Sequence, residues 1–413
     1  MKSPLLFIFI AYLVIKGIEN MVAQVNLRHL HRYGHRVPAG FAGLVDDRSM
    51  VRIRDYTVDH GRIDFFSSAV DLLLTVIFIF GGLLNWYNSW LAGQGWPFAV
   101  TGICFFLFLA YGGFLLQVPF DLYNTFVVEE KYGFNRQTFR LWLADAAKGL
   151  LLTTVLYSLL LWVAFLIIDA MPDRWWLLLW AFMLVFKLFM LYISPYVIEP
   201  LFNKFTPIAD KSLEEKIKTL LARAGLSVSR VFTMDASRRS GHGNAYFSGI
   251  GHVKRIVLFD TLLEKSSDDE ILAILAHEAG HWKKKHILKR LLVMECVSFA
   301  ALYAAWWFLR HDMLASIFNI SMPTLYVKLL LVGFCGMLAV FPFKSLLSFS
   351  SRRDEWQADG FAVELTGNPR ALASALAKLG RDNLANLHPH PWYVALHYSH
   401  PPLPQRVRKL LGA

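Results

Sequence analysis

Seven stretches of about twenty mostly apolar residues leave this chain few ways to fold. They run over about 4–23, 65–87, 98–118, 144–169, 175–197, 290–310 and 325–349. Each is long enough for a bilayer-crossing helix, and in lipid every backbone N–H and C=O must find its partner inside the protein. The expectation is an α-helical integral membrane protein with seven transmembrane helices. Composition agrees: 55% of the 413 residues are hydrophobic and 18% are charged, whereas an average soluble chain is about 25% charged. The first stretch, "MKSPLLFIFIAYLVIKGIENMVAQ", begins like a signal peptide. However, Lys16, Glu19 and Asn20 follow its apolar core and no small-x-small cleavage site does, so it reads as a retained span.

The formal net charge is +11, but the basic residues gather in alternate connections, which points to a membrane and not to nucleic acid. The first connection, 24–64, holds Arg28, Arg32, Arg36, Arg48, Arg52, Arg54 and Arg62. The second, "NSWLAGQGW", holds none; the third holds Lys131, Arg136 and Arg140; the short fourth holds Arg174 alone. The tail beyond residue 350 is again strongly basic. This alternation places the N-terminus outside and the C-terminus in the cytoplasm. Asp71, Lys148, Lys187, Glu295 and Lys344 fall inside spans. They are expected to face the bundle interior or water, with Lys148 and Lys344 snorkelling near helix ends. Cys104, Cys296 and Cys335 each lie in an apolar run, where a small buried hydrophobe is a better reading than a disulfide framework.

The chain divides into a membrane domain at 1–198, a cytoplasmic region at 199–289, two further spans at 290–350 and a cytoplasmic tail at 351–413. The 199–289 region is too long for a loop. "KSLEEKIKTLLARAG" reads as an amphipathic helix ending at Gly225. "RVFTMDA", "NAYFSGIG" and "KRIVLFD" read as extended pieces. Ser267-Asp268-Asp269-Glu270 is a capping box that starts another helix. In the tail, "SRRDEWQADGFAVEL" and "PRALASALAKLGRDNL" read as two more helices.

The helix after the capping box carries "HEAGHWKKKH" at 277–286. His277 and His281, four apart, project from one face and can bind one zinc ion. Glu278 is turned about 100° away and suits a general base better than a ligand. A five-residue pattern is only moderately specific, and an ordinary helix can carry it. A catalytic zinc needs a third protein ligand. Glu355 can supply it from the tail, with Asp359 hydrogen-bonding a ligand histidine and fixing its tautomer. From His281 to Glu355 the chain crosses the membrane twice, so both lie on the same side.

Several long segments, in order, resemble the CAAX prenyl protease 1 family, integral-membrane zinc endopeptidases of the gluzincin group. They are "LYNTFVVEEKYGFNRQT" (122–138), "PLFNKFTPI" (200–208), "NAYFSGIG" (244–251), "KRIVLFDTLLE" (254–264), "HEAGHWKKKH", "SRRDEWQADGFA" (351–362) and "HYSHPPLPQRV" (397–407). The resemblance covers roughly residues 30–410. It implies a mostly helical cytoplasmic protease domain with a small β-sheet, seven helices around a large intramembrane chamber, and one zinc per chain. It implies His277, His281 and Glu355 as ligands, Glu278 as base, Asp359 as orienter of a ligand and His400 as a stabiliser of the oxyanion. Asn244, with Ala245 and Tyr246, is implied to sit on an edge strand that holds substrate backbone. Arg406 is implied either to anchor the tail or to meet substrate. His242, His252, His286 and His397 are left without a role.

Only twelve residues, 265–276, separate "LFDTLLE" from His277. Eukaryotic relatives often carry a charged insertion there, so the chain reads as a bacterial-type member, in the inner membrane (the endoplasmic reticulum if eukaryotic). The expected substrate is a peptide or protein, either the C-terminal tail of a lipidated protein or a damaged membrane protein, with lipid around it and no nucleic acid. A transporter would explain the intramembrane charges but not the HExxH with its distant partner acid. An inactive scaffold would lack a ligand or the base, and none is missing.

Overall fold

The computed structural model describes residues 3–38, 40–248 and 253–412. The end of the "NAYFSGIG" segment and His252 lie outside the described residues. Seven helices are long and apolar enough to cross a membrane: Ser3–Tyr33, Asp47–Phe80, Phe98–Glu129, Phe139–Ala170, Trp175–Phe202, His286–Arg310 and Leu325–Thr366. Two depart from the sequence expectation in ways that matter. The second ends at Gly81–Gly82 and not near residue 87. Gly82 takes φ +87, open to glycine at no steric cost, and the chain restarts as a separate helix, Leu83–Ala92, with Leu84 and Leu91 buried. The seventh does not stop near residue 349. A short 3-10 turn at Phe341–Phe343, containing Pro342, interrupts the α-helix, which resumes from Lys344 to Thr366. "SRRDEWQADGFAVEL" is therefore the far end of the last membrane helix rather than an independent one, and it carries Glu355 and Asp359 out of the bundle on a rod.

The charges within the spans find partners, as the cost of an isolated charge in lipid requires. Lys187 Nζ lies 2.8 Å from Glu295 and Lys16 Nζ lies 3.2 Å from Asp71. Lys344 does not simply snorkel, since it bonds Glu19 at 3.3 Å. Lys148 likewise reaches the Leu201 carbonyl at 3.0 Å. All three cysteines are free, and Cys296 is exposed on its helix rather than buried.

The extramembrane region holds a four-stranded sheet: β1 (Phe205–Pro207), β2 (Ser227–Met234), β3 (Ala245–Ser248) and β4 (Val253–Phe259), in the order β1-β2-β4-β3. β2 and β4 run parallel; the outer pairs are antiparallel. β3 is an edge strand, paired with β4 alone. The amphipathic helix Lys211–Arg223 buries Leu213, Ile217, Leu220 and Leu221 and ends before Gly225 at φ +77, as its sequence pattern dictates.

Helix Asp268–Lys283 starts at the expected capping box, with the Ser267 and Glu270 side chains each bonding the other's backbone N–H. Glu270 does more than cap: it also accepts from Ser374 Oγ at 2.6 Å and Lys378 Nζ at 2.8 Å, tying this helix to Pro369–Asp382. Ile271, Ala273, Leu275 and Ala276 are buried in the domain core with Ile256, Leu258, Leu372 and Leu376. Gly280 lets the end of the seventh helix lie directly against it. A Cβ there would stand 2.9 Å from Ala358 Cα. This contact of two helices sets the spacing of the site.

Candidate metal centre and cleft

The helix Asp268–Lys283 and the rod Lys344–Thr366 meet with their polar residues facing. His277 Nε2 and His281 Nε2 are 3.2 Å apart. They lie 3.3 and 3.1 Å from the two carboxylate oxygens of Glu355. These three donors, all within 4.8 Å of one another, form the only such group found among the described residues. Glu355 is 2% exposed. Its Oε2 is buried with no hydrogen-bond partner; His277 and, at 3.4 Å, Arg406 Nη1 are near but not aligned to donate. A buried carboxylate oxygen without a donor is costly. Two imidazoles and that carboxylate are the donor set a divalent metal such as zinc takes, so the residues fit.

The far side of each imidazole is also held. His277 Nδ1 lies 2.8 Å from Asp359 Oδ1. Asp359 accepts in turn from Arg406, Nε at 2.9 Å and Nη2 at 2.6 Å. Arg406 is 4% exposed, and its guanidinium lies between the Asp359 and Glu355 carboxylates. Burial alone would lower the pKa of metal-free His277, but the neighbouring Asp359 and Glu355 carboxylates prevail and push it up to about 9.

Glu278 points to the other side, into a cleft of about 490 Å³ lined by Asn244, Ala245, His277, His400 and Arg406. Burial raises its pKa above the ordinary carboxylate value, which moves a base toward neutrality. His400 stands over the donor triad, with Nε2 3.2 Å from Glu355 Oε1 and Nδ1 2.9 Å from Ser399 Oγ. Its side chain is largely open to the cleft, and partial desolvation lowers its pKa. Asn244 precedes the edge strand; its carbonyl accepts from Phe259 N at 3.0 Å and its side chain accepts from Ala245 N at 2.8 Å. The free side of β3 borders the cleft. Tyr246 turns away and donates to Glu199 Oε2 at 2.7 Å, which ties the strand to the end of the fifth membrane helix.

The opposite wall is apolar: Leu372, Leu376 and Leu379 on one side, Leu262 and Ile274 on the other. The three leucines share one face of Pro369–Asp382 at helical spacing, a signal present in "PRALASALAKLG" that marks an apolar face without saying what it meets. Asn383, at the end of that helix, accepts from Gly243 N at 3.2 Å and so fixes the entry to β3. It has no sequence signal of its own.

A water-accessible cleft whose edge strand, buried donor triad and flanking acid share one end of a membrane bundle defines a class: the membrane-embedded metalloproteases. Residues 26–204 match the family described as the CAAX prenyl protease N-terminal region, five membrane helices, and residues 207–413 match peptidase family M48. The chain is 35% identical to a CAAX prenyl protease 1 homolog of Oryza sativa, over 91% of this chain and 90% of that protein. It is 33% identical to the homolog of Mus musculus, over 100% and 95%. A crystal structure of S. mikatae Ste24p superposes with a TM-score of 0.91 at 29% identity, covering 99% of both chains. The chain belongs to the CAAX prenyl protease 1 family of M48 peptidases. It is a multi-pass integral membrane metalloendopeptidase.

Proposed function

We propose that the metal is zinc, held by His277, His281 and Glu355, and that the enzyme cuts a peptide bond at the cytoplasmic face of its membrane. The observation that carries this is the convergence of those three side chains around a buried carboxylate oxygen with no donor of its own. The substrate we assign is the C-terminal tail of a prenylated protein, because the relatives along nearly the whole chain are called CAAX prenyl proteases. The alternation of basic connections supports an outside N-terminus and cytoplasmic site. The short connection before His277 supports a bacterial inner membrane.

Zinc at such a site supplies a Lewis acid for the scissile carbonyl and acidifies water. The chain's own residues do the rest. The open edge of β3, from Asn244 through Ala245 and Tyr246, offers backbone groups that hold substrate by strand addition. Glu278, beside the ligands and raised in pKa by burial, takes the proton of the attacking water and delivers it to the departing amine. His400 donates from Nε2 to the oxyanion as it forms, a donor already placed beside Glu355. Asp359 holds the His277 tautomer, and Arg406 holds Asp359.

The test is metal content and peptide cleavage by detergent-purified protein. Wild type is expected to carry about one zinc per chain. Glu278→Gln is expected to keep the metal and lose cleavage by about 10²- to 10⁴-fold; Glu355→Ala loses both. Wild type free of metal, or Glu278→Gln cleaving normally, sinks the mechanism. A farnesylated peptide against its bare counterpart tests the substrate: equal rates would remove the prenyl group from the assignment.

A further inference from the structure

The two ligand histidines are not braced alike. His277 leans on a carboxylate, Asp359, but among the described residues no carboxylate is placed against the Nδ1 of His281. What stands there is another histidine: His286 Nδ1 lies 3.1 Å from His281 Nδ1. His286 is 1% exposed. Its other nitrogen, Nε2, faces Gln357 Oε1 at 3.2 Å and Asp354 Oδ1 at 3.6 Å. Asp354 is itself held by Arg290 at 3.4 Å.

The protons in this chain can be counted. Gln357 Oε1 and Asp354 Oδ1 only accept, so His286 Nε2 must carry the hydrogen. A neutral His286 then has a bare Nδ1 that only accepts. Two nitrogens at 3.1 Å share one hydrogen, so His281 Nδ1 must be the donor. That leaves the Nε2 of His281, the atom facing Glu355 at 3.1 Å, with its lone pair free. This is the tautomer a metal ligand through Nε2 requires.

The backbone is arranged for this contact. On an unbroken helix, residues five apart are turned about 140° from each other and cannot meet. The helix Asp268–Lys283 stops two residues before Lys285, which sits in the left-handed region at φ 57. A non-glycine residue there is uncommon. The turn restarts the chain as the sixth membrane helix with His286 at its first position, folded back on His281. Gln357 and Asp354 come from the same rod as Glu355 and Asp359. One helix thus supplies a metal ligand, the carboxylate that braces His277 and the groups behind His286.

We propose that His286 is a positioning residue for metal binding: it accepts the Nδ1 proton of His281 and, with Gln357 and Asp354 behind it, fixes that ligand's tautomer and ring angle. The proposal rests on His281 being a ligand. Removing such a partner generally weakens metal binding about 10- to 100-fold.

The experiment is Zn²⁺ competition against a chromophoric chelator on the detergent-purified full chain. Its variants are His286→Phe, His286→Asn and Gln357→Leu, each first checked for an unaltered monodisperse elution and helical circular dichroism. His286→Phe fills the space without an acceptor and is expected to weaken zinc about 10- to 100-fold. His286→Asn returns an oxygen acceptor near the Nδ1 position and should recover much of that loss. Gln357→Leu, one step further out and only half-buried, should give a smaller loss while leaving folding intact. Wild-type affinity in both His286→Phe and Gln357→Leu overturns the proposal. So does a loss in His286→Asn as large as in His286→Phe, since size and not the acceptor would then matter. The wild-type measurement separates this from the reading of the site itself: a wild-type chain that binds no zinc sinks the ligand assignment, whereas wild-type binding with unaffected variants sinks only the role of His286.

Discussion

Asp359 stands between two partners, with one carboxylate oxygen 2.8 Å from His277 Nδ1 and both oxygens held by Arg406 at 2.9 and 2.6 Å. All three side chains are buried. Arg406 comes from the last helix, Leu403–Leu410, so the C-terminal segment reaches the candidate ligands through this carboxylate. Two substitutions should behave differently. Asp359→Asn keeps the shape and leaves Arg406 the Glu355 carboxylate at 3.4 Å, so it is expected to weaken zinc about 10- to 100-fold at a smaller stability cost than loss of the arginine. Arg406→Met leaves Asp359 and Glu355 without the guanidinium between them, and a broken buried pair costs about 3–5 kcal/mol. Its thermal midpoint should fall in the metal-free protein. A chelator series combined with thermal melts separates the two; an Arg406→Met chain as stable as wild type would show that the brace is idle.

Metal-free His277, with its pKa pushed up to about 9, holds a proton at neutral pH. A ligand nitrogen must give that proton up. Zinc binding at pH 7 is therefore expected to release about one proton from this residue, and affinity should rise about tenfold per pH unit until roughly pH 9, then flatten. Calorimetry in buffers of different ionisation enthalpy reads the proton directly. Asp359→Asn removes a bond that sustains the raised value, so its proton release at pH 7 should shrink. Equal heats in all buffers for the wild type would refute the protonated resting state.

Gly280 is the close contact between the two site helices, and its replacement should be felt at the metal. A Cβ there lies 2.9 Å from Ala358 Cα and 3.0 Å from Ala358 O, both backbone atoms that cannot swing aside. Gly280→Ala is expected to push the rod carrying Glu355 away from His277 and His281. Overpacking of this kind costs about 1–3 kcal/mol. Zinc affinity should drop along with stability, although alanine is the better helix former. Gly360, on the same rod, has open space around it, so Gly360→Ala is the control expected to leave both unchanged.

Much of this arrangement was legible in the residues. The spans follow from apolar length alone, and the capping box at Ser267 marks the start of the helix that carries His277 and His281. Spacing placed His277 and His281 on one face. What the sequence could not show are features set by single backbone angles or tertiary approach. The three residues of β1 are too few to display a period. The break at Gly81–Gly82 sits within an apolar run and was read through. Lys285 is an ordinary lysine until the turn puts it at φ 57, and without that turn His286 has no reason to meet His281. Arg406 offered two roles, and only its burial between Asp359 and Glu355 favours one. The far end of the seventh helix was split off because polar residues resume there, yet helical structure persists once the rod has the protease domain to pack on.

Within the membrane bundle, Lys187 and Glu295 form a pair 2.8 Å apart between the fifth and sixth membrane helices. Trp180 Nε1 adds a bond to the Glu295 carbonyl at 3.2 Å. Neither charge has another opposite partner among the described residues, so each depends on the other. Removing one should cost more than removing both. Lys187→Met leaves Glu295 charged in an apolar setting or forces it to take up a proton, and a loss of about 3–5 kcal/mol is expected. Lys187→Met with Glu295→Gln removes both charges and should recover most of that stability, since paired neutral replacements are often tolerated. Thermal melts in detergent of the wild type, the two single variants and the double variant form a cycle whose coupling term reads the pair directly. Strictly additive single effects would show that the two side chains do not depend on each other, and that the bundle holds each charge by some other means.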